Sequence, residues 1–85
     1  MEVVYKPTFI RQYKKLPQSL QDEVKDKIEL FKSDSKHPFL KTHKLKEKLN
    51  AYFSFSVNYK YRIVFEYESS KRACFLVVGD HDVYQ

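Results

Sequence analysis

Apolar residues recur at helical spacing in the first half of the chain. In the stretch QSLQDEVKDKIELFKSD, one face carries Leu20, Val24, Ile28 and Phe31. Acidic residues come early in this stretch and Lys32 comes late, an arrangement that suits the dipole of a helix. The spacing therefore predicts an amphipathic helix that starts after Pro17 and ends before Pro38.

The residues before this helix predict a strand and a shorter helix. Residues 2–6, EVVYK, read as a short strand that Pro7 interrupts. Thr8 can then cap a helix, because its hydroxyl can accept from the first turn. The apolar face of that helix would hold Phe9, Tyr13 and Leu16, and Pro17 would end it.

The period changes to two after Ala51. Phe53, Phe55 and Val57 alternate with polar residues, and a second alternating run covers residues 61–67. A third, largely apolar run covers residues 72–79. Short turns at 58–60 and 69–71 separate the three runs, so we expect antiparallel neighbours.

This order of elements predicts an α+β domain that spans residues 1–85. The N-terminal strand and two helices would pack on one face of a mostly antiparallel, about four-stranded sheet. Residues 37–50 are less regular and would connect the second helix to the sheet. The other face of the sheet would be free to bind a ligand.

The positive charge of the chain is concentrated in its centre. The net charge is +5, and residues 36–62 hold seven of the 16 lysines and arginines but only one of the 11 acidic residues, Glu47. Such a basic region is typical of a site for a polyanion. A solvated lysine-rich loop has the same composition, so charge alone leaves both interpretations open.

Cysteine usage and hydropathy indicate where the protein acts. Cys74 is the single cysteine, so no disulfide can form within the chain, and we expect this thiol to lie in the core. The N-terminal sequence MEVVYKPTF does not have the pattern of a signal peptide, and no apolar run approaches the ~20 residues of a membrane span. These features predict a cytoplasmic protein.

Four side chains could carry chemistry: His43, Arg62, His81 and Tyr84. Arg62 begins one strand of the predicted meander and His81 ends the next, so we expect them to be neighbours. Such a set suits RNA cleavage, in which the 2′-hydroxyl is the nucleophile. Histidines can supply the general base and acid, arginine can stabilise the phosphorane, and an aromatic ring can stack on a base.

Each of these residues also has a structural interpretation. His43 can be a polar loop residue, Arg62 can pair with Glu66, and Tyr84 can pack over the end of the sheet. A metal site is poorly supported, because the consecutive Asp80, His81 and Asp82 would alternate between faces of an extended segment. The sequence therefore predicts chemistry without a metal or other cofactor.

Three stretches of the chain resemble the RelE/ParE superfamily of toxins from toxin–antitoxin systems. HKLKEKLNAYFSFSV is similar to a leucine pattern that runs into an aromatic strand in that family. YRIVFEY is similar to its central strand, and FLVVGDHDVY is similar to its closing strand, with a histidine and a terminal aromatic. The resemblance covers nearly the whole chain and implies the α+β fold predicted above.

The resemblance also implies a function, that of a ribosome-dependent endoribonuclease that cuts messenger RNA in the ribosomal A site. His43 falls on the position of the base, Arg62 on the arginine that contacts phosphate, His81 on the tail histidine proposed as acid and Tyr84 on the terminal aromatic. Lysines of the basic region would contact RNA: Lys41, Lys44, Lys46, Lys48 and Lys60. A small antitoxin protein is the implied partner.

A departure from the family pattern and two rival functions keep alternatives open. Ser56 and Lys60 stand where some nucleases of the group have a histidine and an aspartate. The ParE branch shares the fold and poisons DNA gyrase, although its members generally lack the histidine pair. A third alternative is an RNA-binding relative without catalysis, which predicts salt-sensitive binding and no strand scission.

Overall fold

The computed structural model describes residues 1–45 and 52–80. Within these ranges it contains two helices and five strands. The elements follow in the order β1 (Glu2–Tyr5), α1 (Pro7–Lys14), α2 (Gln18–Ser33), a 3₁₀ turn (Pro38–Leu40), β2 (His43–Lys44), β3 (Phe53–Ser56), β4 (Tyr61–Ser69) and β5 (Arg72–Asp80). The predicted α+β class is confirmed.

The strands form one mixed sheet in the order β1-β5-β4-β3-β2. β1 pairs with β5 in parallel, and all the other pairs are antiparallel. The meander of β3, β4 and β5 is the predicted one. The prediction of about four strands omitted β2, because a two-residue strand in the basic connection has no alternating pattern to reveal it.

Prolines set the starts of both helices. α1 begins at Pro7, whose fixed φ suits the first helical position, and Lys6 precedes it in extended conformation. The prediction that Thr8 caps this helix is therefore wrong. Thr8 lies inside the first turn, where its Oγ1 accepts from Arg11 Nη2 at 3.2 Å. Pro17 lies just before α2. In the described ranges, no helix is long and apolar enough to cross a membrane.

Both helices pack on one face of the sheet around Phe31. The ring of Phe31 lies 5.1 Å from the rings of Phe55 and Phe65 and 5.3 Å from that of Phe75, measured between centroids. The predicted helix stripe is buried in full, as are Phe55, Ile63 and Phe65 of β3 and β4, whereas the other inward residues of these strands are partly buried against the core. The period-two and helical patterns therefore identified the core correctly.

The opposite face of the sheet is not free along its whole length. Ser54, Val64 and Cys74 lie on that face, yet each is at most 3% exposed. The prediction of a fully open face is therefore wrong for the middle of the sheet. Accessible polar groups lie instead at the end of the sheet where β3 and β4 are joined, and this is where Arg62 lies.

Candidate functional site

Arg62 lies at the start of β4, between two neighbouring strands. It pairs with Ser56 of β3 on one side and with Gly79 of β5 on the other. The last described residue, Asp80, pairs with Tyr61. The predicted proximity of Arg62 to the end of the last strand is therefore confirmed for the backbone up to Asp80. His81 and Tyr84 lie outside the described residues.

The guanidinium of Arg62 is held by backbone carbonyls. Its Nη1 donates to the carbonyl oxygen of Asn58 at 2.8 Å and to that of Tyr61 at 3.2 Å. Within residues 1–45 and 52–80 it forms no ion pair, and the pairing with Glu66 that the sequence allowed is absent. Because arginine has five N–H donors, the charge and most of the donors are available for an anion.

Asn58 builds the turn that presents Arg62. Its Oδ1 accepts from the backbone N–H of Lys60 at 2.9 Å and from that of Tyr61 at 2.8 Å, the arrangement of an Asx turn. Its Nδ2 donates to the carboxylate of Glu23 on α2 at 3.4 Å. Helix α2 therefore anchors the turn whose carbonyl groups orient the arginine.

A groove of about 440 Å³ opens beside this turn, and we call it the Arg62 groove. Among residues 1–45 and 52–80, three cationic side chains line it, Lys27, Lys41 and Arg62, and no acidic residue does. Lys27 Nζ also donates to the carbonyl oxygen of Val57 at 3.0 Å, which fixes α2 against the groove. The electrostatics of the groove favour an anionic ligand.

Two exposed aromatic residues line the same groove. Phe39 is 70% exposed and Tyr59 is 92% exposed, whereas most aromatic residues of the described chain pack in or around the core. Exposed rings beside cationic side chains are typical of surfaces on which nucleobases stack. Sequence reasoning missed both residues and Lys27. The available signal was the interleaving of rings with basic residues in HPFLK and NYKYR.

His43 shares a sheet face with Arg62 but does not line the Arg62 groove. It is exposed on β2 and pairs with Ser54, two residues along β3 from the partner of Arg62. Two strand spacings and two residues of rise put the Cα atoms of His43 and Arg62 about 12 Å apart. The two side chains therefore face the same side, at opposite ends of a stretch of sheet surface.

The predicted RNA-binding lysines are distributed around these residues. Lys41 lines the Arg62 groove, whereas Lys44 is exposed on β2 and projects to the helix side, because His43 before it projects to the other side. Lys60 lies in the turn with its ammonium 5.7 Å from the centre of the Tyr61 ring. Lys46 and Lys48 lie outside the described residues.

Ser56 and Lys60 differ in their relation to the groove. Ser56 is 9% exposed, lines the groove and pairs with Arg62, so a residue here is close to a bound anion. Lys60 does not line the groove. The position of Ser56 is thus the better placed of the two for direct contact with a ligand.

Other reactive groups lie elsewhere. Cys74 is 2% exposed and burial raises the pKa of its thiol, which makes it a poor nucleophile. Its predicted burial is confirmed, although it lies on the sheet face away from the helices. Among residues 1–45 and 52–80, no group of three or more His, Cys, Asp or Glu side chains could hold a metal ion.

Solved structures of toxins have the same fold as this chain. The YoeB/ParE toxin from Agrobacterium tumefaciens superposes with a TM-score of 0.78 at 19% identity, over 95% of this chain and 99% of that one. YafQ in the E. coli DinJ–YafQ toxin–antitoxin complex gives 0.77 at 17% identity, over 99% and 97%. The YoeB–YefM toxin–antitoxin complex from Staphylococcus aureus gives 0.76 at 16% identity, over 95% and 97%.

These superpositions confirm the RelE/YoeB-like fold that the sequence resemblance implied. No protein-family model and no curated protein matches the chain. The likeness is thus one of backbone architecture over almost the whole length of each protein. The chemistry of the site depends on the side chains of this chain.

Proposed function

We propose that this protein is the toxin of a type II toxin–antitoxin system and cleaves messenger RNA on the ribosome. The observation that carries the proposal is Arg62, a half-buried guanidinium with unused donors in a groove that the described residues line with three cations and no acid. The fold supports it, because toxins are the proteins whose architecture this chain shares.

The proposed reaction uses the nucleophile that RNA carries itself. His43 removes the proton of the 2′-hydroxyl, and the 2′-oxygen attacks the adjacent phosphorus. Arg62 stabilises the charge of the phosphorane with two parallel N–H bonds. His81 then protonates the leaving 5′-oxygen as its bond to phosphorus breaks. The products are a 2′,3′-cyclic phosphate and a new 5′-hydroxyl, and neither a metal nor a cofactor takes part.

The position of His43 constrains how the RNA binds. With about 12 Å between the Cα atoms of His43 and Arg62, both side chains can act together only if the scissile nucleotide lies between them across β3. Their position on one sheet face allows such a pose. The groove side chains would then orient the RNA strand. Tyr84, which lies outside the described residues, would stack on a base.

Lysines and exposed rings would hold the rest of the RNA. We assign backbone contacts to Lys41, Lys44, Lys46, Lys48 and Lys60, which extend the charge of Arg62. Phe39 and Tyr59 would add base stacking at the Arg62 groove, at about 1–3 kcal/mol for each stacked base. Stacking depends little on base identity, so this part of the site would accept many sequences.

The proposed partners are messenger RNA in the ribosomal A site and a cognate antitoxin, and the proposed compartment is the cytoplasm. Two of the structural neighbours are complexes with the antitoxins YefM and DinJ. An antitoxin that covers the Arg62 groove would need acidic or hydrogen-bonding groups to satisfy its three cations. Such an antitoxin would inhibit by excluding RNA.

A translation extract with one defined messenger tests the proposal. New 5′ ends are mapped with wild-type protein, with Arg62→Ala and with the control Arg11→Ala. Arg11 is exposed on α1 and does not line the Arg62 groove. We expect cuts within the reading frame that require ribosomes, a loss on the order of 10²-fold in Arg62→Ala and none in Arg11→Ala. Thermal melting checks that both variants fold.

Two results would contradict the nuclease assignment. Equal cleavage by Arg62→Ala and wild type would remove Arg62 from the mechanism. A messenger that stays intact with wild-type protein would instead direct attention to the alternatives, DNA gyrase inhibition or RNA binding without catalysis. A supercoiling assay with gyrase and a salt-dependent RNA-binding assay separate those two.

A further inference from the structure

A second basic groove adjoins the Arg62 groove. It has a volume of about 520 Å³, and we call it the Lys36 groove. Lys36, Lys41 and Lys44 line it together with His37, and none of the acidic residues in the described part of the chain does. Lys41 lines both grooves, so the two basic surfaces meet at this side chain.

The lysines of this groove are not neutralised by the rest of the described chain. In residues 1–45 and 52–80, the ion pairs involve Lys32 and Arg72 and none of the groove lysines. Lys36, Lys41 and Lys44 are all exposed. Their combined charge therefore acts on a ligand and not on a neighbouring carboxylate.

The backbone at Lys41 shows that a lysine is held at this junction at a conformational cost. Its φ of 50° and ψ of 49° lie in the left-handed region, and it is the one non-glycine residue with positive φ within the described ranges. It follows the 3₁₀ turn, a position where glycine or asparagine is usual. Non-glycine residues in the left-handed conformation cluster at functional sites.

The other lining groups are also suited to phosphate and ribose. His37 Nδ1 accepts from the backbone N–H of Phe39 at 3.0 Å, so its Nε2 is the nitrogen that can donate to a ligand. Phe53 and Tyr67 line the groove with their ring centroids 5.0 Å apart.

We propose that the Lys36 groove binds the phosphodiester backbone of the RNA strand that continues past Lys41 from the Arg62 groove. The proposal rests on the proposed function in taking single-stranded RNA as the ligand. It adds a second segment of binding site on the helix side of the sheet edge, where no residue needs to take part in the chemistry. It predicts that the protein binds a long strand by more phosphate contacts than a short one.

The test compares binding of two oligonucleotides that cannot be cut. A trinucleotide and a longer single strand, both 2′-O-methylated and fluorescent, are titrated with protein over a range of salt concentrations. The variant Lys36→Gln/Lys44→Gln removes two charges from the groove. The matched control Lys14→Gln/Lys25→Gln removes two exposed helix charges that line neither groove.

We expect the groove variant to bind the long strand more weakly, with a salt slope smaller by about 1.4, since a single-strand contact contributes about 0.7. Its affinity for the trinucleotide should fall by a smaller factor than its affinity for the long strand, and the control should bind both oligonucleotides as wild type does. Lys41→Gly should weaken both oligonucleotides and melt no lower than wild type, because glycine accepts the left-handed conformation. Lys41→Arg, which keeps the positive charge, should bind both oligonucleotides as wild type does.

Two results would overturn the proposal. One is that wild type and the groove variant bind the long strand with the same affinity and the same salt slope. The other is an acidic peptide, such as oligoglutamate, that binds this groove more tightly than the long strand, which would make the occupant a protein. Cleavage in the translation extract is measured separately. Wild-type protein that binds RNA by this groove but cuts no messenger would refute the nuclease assignment and leave the binding proposal standing.

Discussion

Two arginines of β4 and β5 have opposite environments. Arg72 Nε donates to the carboxylate of Glu2, and Arg72 Nη1 lies 3.9 Å from Oε1 of Glu68. The hydrogen bond to Glu2 is the main cause that raises the pKa of Arg72. Arg62 donates instead to the carbonyl oxygens of Asn58 and Tyr61, and none of the ion pairs within residues 1–45 and 52–80 involves it. A carboxylate neutralises the charge it holds, whereas a carbonyl orients a guanidinium and leaves its charge for a ligand. Arg72 is thus structural, and Arg62 is prepared for an anion.

Cys74 should be unreactive in the native protein. Burial raises its pKa, so the thiol stays protonated at neutral pH and reagents do not reach it. We expect labelling by a disulfide reagent to be slow in buffer and complete in urea. Fast labelling of the folded protein would contradict the described burial.

The raised pKa of Cys74 also fixes the sign of a pH effect on stability. The thiol is protonated in both states below its unfolded pKa, so stability is complete there and is lost as pH rises through the folded pKa. Urea titrations should give a lower free energy of unfolding well above pH 9.0 than at pH 7. Cys74→Ala should reduce this loss, and the part that remains includes Tyr67, whose pKa is also raised.

At the scale of elements, each of the two turns of the meander is held by one side chain. Asn58 accepts two backbone N–H groups between β3 and β4, and Ser69 Oγ accepts from the N–H of Lys71 at 3.1 Å before β5. Only the first turn also supplies a carbonyl to the guanidinium of Arg62. The turns are therefore similar in stabilising their strands and different in their relation to the site.

Asn58→Ala and Ser69→Ala separate these two roles. Asn58→Ala should lower the free energy of unfolding by about 1 kcal/mol, because the partly buried N–H of Tyr61 loses its acceptor. Ser69→Ala should lower it less, because the N–H of Lys71 is exposed and water can replace the lost acceptor. Asn58→Ala should also reduce messenger cleavage, since Arg62 loses its orientation, whereas Ser69→Ala should cleave as wild type. Urea titration and mapped cleavage give the two quantities. Equal cleavage by both variants would show that the turn does not position Arg62.

Sequence patterns predicted the elements better than the site. Alternation placed Phe53, Phe55 and Ile63 on the core side, because a strand buried on one face must repeat every two residues. Lys27 and Phe39 reach the Arg62 groove from α2 and a connecting turn, and no local pattern encodes that meeting. Arg62 was identified by its place at the start of a strand. The separation of about 12 Å between the Cα atoms of His43 and Arg62 follows from the pairing of β2, a two-residue strand that has no sequence signal.

At the scale of the whole molecule, four phenylalanines join the helices to the sheet. Phe31 of α2 contacts Phe55, Phe65 and Phe75, one each from β3, β4 and β5. All four rings are fully buried. The three strands that carry or flank Arg62 thus all contact one ring of α2, so the stability of the core and the shape of the site depend in part on the same contacts.

Phe31→Ala should therefore be among the most damaging single changes. The lost ring contacts and the cavity that remains predict a loss of about 3–5 kcal/mol, against a total stability of about 5–15 kcal/mol for domains of this kind. Phe39→Ala is the matched control, because Phe39 is 70% exposed and should change the melting temperature little. A stable Phe31→Ala protein would mean that the core repacks around the space.

The parallel pairing of β1 with β5 sets an order of events during synthesis. Glu2 pairs with Arg72, so the first strand cannot find its place until a segment about seventy residues later has left the ribosome. Arg62 likewise waits for Gly79 to complete its surroundings. A chain whose β5 has not yet emerged therefore lacks the strand that pairs with β4 at Arg62. If the protein cuts messenger RNA, this topology protects the messenger that encodes it from its own nascent product until β5 has emerged.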